Sequence, residues 1–199
     1  MNSKLFRNLE ILGIPVVFLF ASFLHFLYDI TGKSVLGSLF GSVNESVWEH
    51  LKIFFIAYVF WGFVELLWAR PKLSEFIFAK AVGVYILCFL IALFFYIYTF
   101  FTGKAIFIVD IIASLLLTCL AHIVSYRLTL WQGNKGQYFA LGLMMLFVGF
   151  TAVLCFTFYP PKLSLFRDPI TGNFGVPPKN IDEGAQVLSE VFAQKTTAS

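Results

Sequence analysis

The chain has 199 residues, of which 59% are hydrophobic, 19% aromatic and 13% charged, with a formal net charge of +3 and a mean hydropathy of +0.85. A water-soluble domain of this size has too little polar surface to hide 26 phenylalanines. The basic residues are scattered through loops rather than gathered into a patch, so nucleic acid is not expected as a partner.

Five apolar runs follow one another: Leu12 to Ile30, Leu51 to Ala69, Phe76 to Phe101, Ala105 to Tyr126 and Tyr138 to Tyr159. Each is long enough to cross a hydrocarbon core of about 30 Å, which takes about 20 helical residues. Lipid offers no hydrogen bonds to a backbone, so a spanning segment must be a helix or part of a closed barrel. Continuous runs without alternation argue against barrel strands. The expected fold class is all-α: a polytopic transmembrane bundle of about five helices over residues 1–159, followed by an extramembrane Pro/Gly-containing tail over 160–199. The lipid bilayer is its expected partner.

The first run has a basic start (Lys4, Arg7) that resembles a signal peptide. Glu10 interrupts the pattern, the apolar stretch is too long and no small-x-small cleavage site follows, so it reads as a retained first helix. Ser22, His25 and Asp29 share one helical face of about 60°. The loop from Thr31 to Asn44 is rich in Gly and Ser and suits the membrane surface. Ser42-Val-Asn-Glu45 and Ser46-Val-Trp-Glu49 both have capping-box spacing, so the second helix begins between Ser42 and Ser46. Glu45 and Glu49 then lie one turn apart, with Lys52 on the same face. His50 lies about 100° round the helix from Glu49. Either His50 or the carboxylates face inward, and the carboxylates are slightly favoured.

Arg70-Pro71 ends that helix, because the residue before proline avoids helical geometry. Phe76 to Phe101 is one long, tilted helix, and Thr102-Gly103-Lys104 a tight turn. In the fourth run Asp110, Ser114, Thr118 and Ser125 fall within about 80°, a stripe that faces neighbouring helices. Asp110 is placed about two turns from Lys104, at a depth comparable to His25. Glu65 and His122, near the opposite end, read as interfacial anchors. Trp48, Trp68, Trp131 and Tyr159 fall at span ends, where amphipathic rings sit at headgroup level. Cys88, Cys119 and Cys155 lie in three different spans without metal spacing and read as packing residues. Gln132 to Gly136 is a loop, and no internal repeat points to an inverted-repeat transporter. Pro160-Pro161 stops the last helix, an extended segment with a turn follows to Gly175, and Asn180 to Lys195 has the pattern of a short amphipathic helix.

Lys4, Arg7, Arg70, Lys72, Lys80, Arg127 and Lys135 fall on one side of this topology, against Lys33, Lys52 and Lys104 on the other. By the positive-inside rule the amino terminus is cytoplasmic and the tail outside, in the cell membrane. The outer half can then gather His25, Asp29, Asn44, Glu45, Glu49 and Asp110 from three helices. Of these, His25, Asp29, Glu45, Glu49 and Asp110 are the candidate catalytic or metal-binding residues. Imidazole with carboxylates suits a divalent transition metal, although no His-Glu-x-x-His spacing appears, and the same groups suit a proton relay or a cationic ligand. Three functions compete: metal-assisted hydrolysis or transfer on a lipid or envelope substrate, a small ion-coupled transporter, and a non-enzymatic subunit whose tail docks a protein partner. Self-association is also compatible with the pattern.

The string Val43-Asn-Glu-Ser-Val-Trp-Glu-His-Leu-Lys52 is the most specific in the chain. With Leu24-His-Phe-Leu-Tyr-Asp29, Phe107-Ile-Val-Asp-Ile-Ile112, Ser125-Tyr-Arg127, Tyr159-Pro-Pro and Leu165-Phe-Arg-Asp-Pro-Ile-Thr-Gly172, it resembles a bacterial membrane family catalogued as domain of unknown function 6512. The resemblance runs from the first helix to about Gly175. It implies a multi-pass bacterial membrane protein and supplies no reaction.

Overall fold

The computed structural model describes residues 3–131 and 136–176, without the side chains of residues 136 and 137. Six α-helices occur in order: α1 (Ser3–Ile30), α2 (Val35–Phe40), α3 (Val47–Ala69), α4 (Leu73–Thr102), α5 (Phe107–Leu130) and α6 (Gly136–Phe158), followed by a 3-10 turn at Ser164–Phe166. All but α2 are long and apolar enough to cross a membrane. No strand occurs among the described residues, only an isolated bridge between Arg167 and Phe174. The loop expected over Gln132 to Gly136 falls largely, and the amphipathic helix over Asn180 to Lys195 wholly, outside the described residues.

The long helices run alternately up and down, so two ends can be distinguished. One carries α2, the start of α3 and the end of α6; the other carries Lys80 and the start of α1. α3 is the central helix, packed on α1 and α4, while α4 also packs on α5 and α6. Its apolar core meets Val17 and Ala21 of α1, Val84 and Leu87 of α4, and Ala121 of α5. Tyr58 is wholly buried there and donates to the Ala121 carbonyl at 3.1 Å. The outward faces of the peripheral helices carry Phe100, Phe101, Phe107 and Phe147, all strongly exposed. In water that surface would be a large aggregation liability; in lipid it is the solvated face.

The local signals account for where the helices stop. Ser46 caps α3 and accepts the Glu49 N–H at 3.4 Å. The return arm of a capping box is missing: the Ser46 N–H goes to Asn44 Oδ1 (2.9 Å), and the Glu49 carboxylate takes the Val43 N–H (2.9 Å). α3 ends at Ala69, with Arg70 in the left-handed region ahead of Pro71. α4 has 30 residues and is about 45 Å long at 1.5 Å per residue, so it must tilt or protrude from a core of about 30 Å. It ends where Gly103, with φ of 71°, donates its N–H to the Thr99 carbonyl at 2.8 Å; glycine reaches that conformation without a Cβ penalty. Gly142 serves a different need. A Cβ there would meet the Phe78 backbone at 2.7 Å, so the close α4–α6 approach requires its absence.

Two expectations are corrected. The loop after α1 contains a short helix, α2, capped by Ser34, whose hydroxyl accepts the Gly37 N–H at 2.9 Å. Trp48 packs against neighbouring rings instead of floating at a headgroup: its indole lies 5.0 Å from Phe166 and 5.3 Å from Phe156. Those contacts fold residues 160–176 back onto the bundle, and the Asn44 side-chain amide fastens the return by donating to the Gly175 carbonyl at 2.9 Å. Trp68, Trp131 and Tyr159 are exposed at helix ends.

Candidate functional site

At the α2 end the chain is built to hold one short loop still. After Gly41, the Ser42 N–H donates to the Leu24 carbonyl (3.3 Å) and its hydroxyl to the Asn44 carbonyl (2.7 Å). Asn44 is held on both sides, by Ser46 and Gly175. Glu45 lies between these anchors, at the loop's tip.

Two imidazoles converge on that carboxylate. His25 Nε2 of α1 lies 3.6 Å from Glu45 Oε1, and His50 Nε2 of α3 lies 3.8 Å from Glu45 Oε2. The rings are 5.1 Å apart, and one ligand atom from each of the three residues falls within 4.8 Å of the others. His50 Nδ1 lies 2.9 Å from the Ser46 carbonyl. A carbonyl can only accept, so this nitrogen carries a proton, and Nε2 is the ring nitrogen turned towards Glu45. The three side chains are partly exposed, which leaves room for water or a substrate beside them.

Of the five residues proposed from sequence, His25 and Glu45 come together. Asp29 lies exposed one turn further along α1 and is not among the converging atoms. Glu49 turns the other way, into the bundle. Its Oε2 lies 2.6 Å from Lys52 Nζ, and Lys52 donates onward to the Ser38 carbonyl (2.8 Å) and Thr157 Oγ1 (3.3 Å). Lys52 is thus wholly buried, not part of a solvated face. The choice between His50 and the carboxylates resolves as a division: His50 joins Glu45, and Glu49 leaves. Asp110 stands in the first turn of α5, shallower than expected. It accepts the Tyr98 hydroxyl at 2.6 Å, and that hydroxyl takes the Ile106 N–H at 3.0 Å, an α4–α5 clasp with no contact to the imidazoles.

A second polar centre lies towards the opposite end and was not anticipated. Glu10 of α1, Glu65 of α3, Lys80 of α4 and His122 of α5 are each 4% exposed or less. Glu10 Oε2 lies 2.6 Å from His122 Nδ1 and 3.0 Å from Lys80 Nζ, while Glu10 Oε1 accepts the Ser125 hydroxyl at 3.0 Å. Lys80 also pairs with Glu65 and lies over the Tyr58 ring, 5.1 Å from its centre. Glu65 and His122 are therefore core residues and not interfacial anchors, and Lys80 is a bundle residue and not a loop charge. The available sequence signal was their common depth. Each stands about one to two turns from the same end of its helix, four ionisable residues at one level of four helices.

The fold and these groups define a class: a multi-pass helical membrane protein with a His/carboxylate group where α1 meets the α2–α3 loop. The chain belongs to the family of unknown function DUF6512, whose model matches residues 2–176. No curated protein and no solved structure matches it.

Proposed function

We propose that this protein binds a divalent transition-metal ion through His25, Glu45 and His50, and uses it for hydrolysis or group transfer on a lipid or cell-envelope substrate. The observation that carries the reading is the spacing of the three groups. Ligand atoms each about 2.0–2.1 Å from a zinc-sized ion in tetrahedral geometry lie roughly 3.3–3.4 Å apart. Each imidazole Nε2 lies near that distance from one Glu45 oxygen, 3.6 Å from Oε1 for His25 and 3.8 Å from Oε2 for His50, too long for hydrogen bonds. One ligand atom from each of the three residues lies within 4.8 Å of the others. The Ser46 carbonyl on the far nitrogen of His50 is the kind of partner that orients a ligating imidazole.

Two imidazoles and one carboxylate leave coordination positions open, the arrangement that lets a metal activate water or polarise a substrate oxygen. The partial exposure of the trio supports access from the membrane surface. With the amino terminus inside, as the basic residues Lys4, Arg7, Arg70, Lys72 and Arg127 suggest, this site faces the outer side of the cytoplasmic membrane. Elemental analysis of the purified protein tests the proposal. About one equivalent of zinc, manganese or iron is expected, and Glu45→Ala should abolish it. Metal-free protein that takes up none of these ions on titration would remove the metal chemistry.

A further inference from the structure

We infer that the buried Glu10–Lys80–Glu65–His122 centre is a binding site for one exchangeable proton. The inference is independent of the metal reading and concerns the opposite half of the bundle.

Two carboxylates face one ammonium, so with a neutral His122 the centre carries one negative charge. Among the described residues, the ion pairs of the centre join only these groups. Tyr58 of α3 spends its hydroxyl on the Ala121 carbonyl, Ser125 of α5 is neutral, and α6 has no acidic, basic or histidine residue. A net charge enclosed by apolar helices and closed off from solvent is disfavoured. One added proton makes the centre neutral.

The geometry supplies two places for it. His122 Nδ1 is engaged with Glu10, but Nε2 is buried and has no hydrogen-bond partner among the described residues. Glu65 meets Lys80 through Oε2 and borders the Trp61 indole, whose N–H also reaches the Leu9 carbonyl at 3.2 Å. A proton on Nε2 gives an imidazolium against Glu10. A proton on Glu65 gives a neutral acid beside Lys80. In either case only an N–H or O–H bond forms, and the proton comes from water at the Lys80 end, about two helical turns away. Glu10, Glu65 and His122 also offer ligand atoms within 4.8 Å of one another, but the Lys80 ammonium already pairs with both carboxylates and would repel a metal cation there. A carboxylate–imidazole–carboxylate set that holds one movable proton is the chemistry of a coupling site in proton-linked membrane proteins.

The test uses the full chain in lipid nanodiscs near neutral pH. Ring-nitrogen NMR of labelled histidine, assigned with His122→Gln, reads the charge of His122. Infrared spectroscopy with labelled glutamate reads any protonated carboxyl, assigned with Glu65→Gln and Glu10→Gln. The wild type should show one proton in total, on His122 or on one of the two carboxyls, and should exchange it with deuterium from the solvent within minutes. Glu65→Gln removes one negative charge and should leave His122 neutral with no protonated carboxyl at the centre. A wild type with neutral His122 and both carboxylates ionised overturns the inference. So does a proton that resists exchange for hours, or one that Glu65→Gln retains. The wild-type spectra need no substitution and decide the question even if a variant does not fold.

Discussion

Lys52 Nζ lies 2.6 Å from the Glu49 carboxylate, and both side chains are closed off from solvent. This pair ties four pieces of chain together: α3 itself, α2 through the Ser38 carbonyl, the Glu45 loop through the Val43 N–H, and α6 through Thr157. Glu49 thus acts on the site from behind, by fixing the loop that presents Glu45. Breaking such a pair from one side leaves a buried charge without a partner, at a cost of about 3–5 kcal/mol. Lys52→Met is expected to destabilise the protein by that order in reversible unfolding from mixed micelles. Adding Glu49→Gln, which can still accept the Val43 N–H, should recover much of the loss.

Asn44 is the loop's other fastening. Asn44→Ala removes the hydrogen bonds to Ser46 and Gly175 while leaving all three converging side chains in place. Groups that support metal ligands in this way typically account for 10–100-fold in affinity. A weakening of that size is expected in a metal titration, with helical circular dichroism unchanged.

Gly13 sits where α1 passes the buried centre. A Cβ there would lie 2.5 Å from His122 Cε1 and 2.7 Å from Trp61 Cδ1, closer than carbon atoms can approach. Gly13→Ala should therefore push the His122 ring away from Glu10 and cost about 1–3 kcal/mol of stability. The histidine NMR signals should change at His122 and stay constant at His25 and His50.

Asp110 provides a contrast. It is engaged with Tyr98 at the α4–α5 turn, so Asp110→Asn should loosen that turn by up to about 1.5–3 kcal/mol, the range for a hydrogen bond to a charged group. Metal content should remain as in the wild type. A loss of metal in this variant would show that the site extends further across the bundle than the His25–Glu45–His50 geometry implies.

Much of the architecture was legible because the bilayer imposes length and polarity on each span. The five long helices, the Ser46 cap, the Arg70-Pro71 stop and the Gly103 turn each have a local cause in the sequence. The pairing of His25 with Glu45 was also within reach, since both fall at the same end. The division between Glu49 and His50 was not. Helical phase fixes their angle to each other but not which of them faces the core, and that depends on Val43 and Lys52, whose positions the fold sets. The buried centre was hidden for a related reason. Glu10, Glu65, Lys80 and His122 each look ordinary near a helix end, and only helix packing brings them within reach of one another. Position in the chain made Lys80 resemble a loop charge, when its stem and ammonium are enclosed by α1 and α3.

X-ray absorption at the edge of the bound metal is the most direct measurement of the His25–Glu45–His50 site. The expected spectrum has two imidazole nitrogens and a carboxylate oxygen at about 2.0–2.1 Å, with loss of the metal in both His50→Gln and Glu45→Ala. A sulfur-ligated metal, or one whose surroundings are unchanged by His50→Gln, would contradict the site.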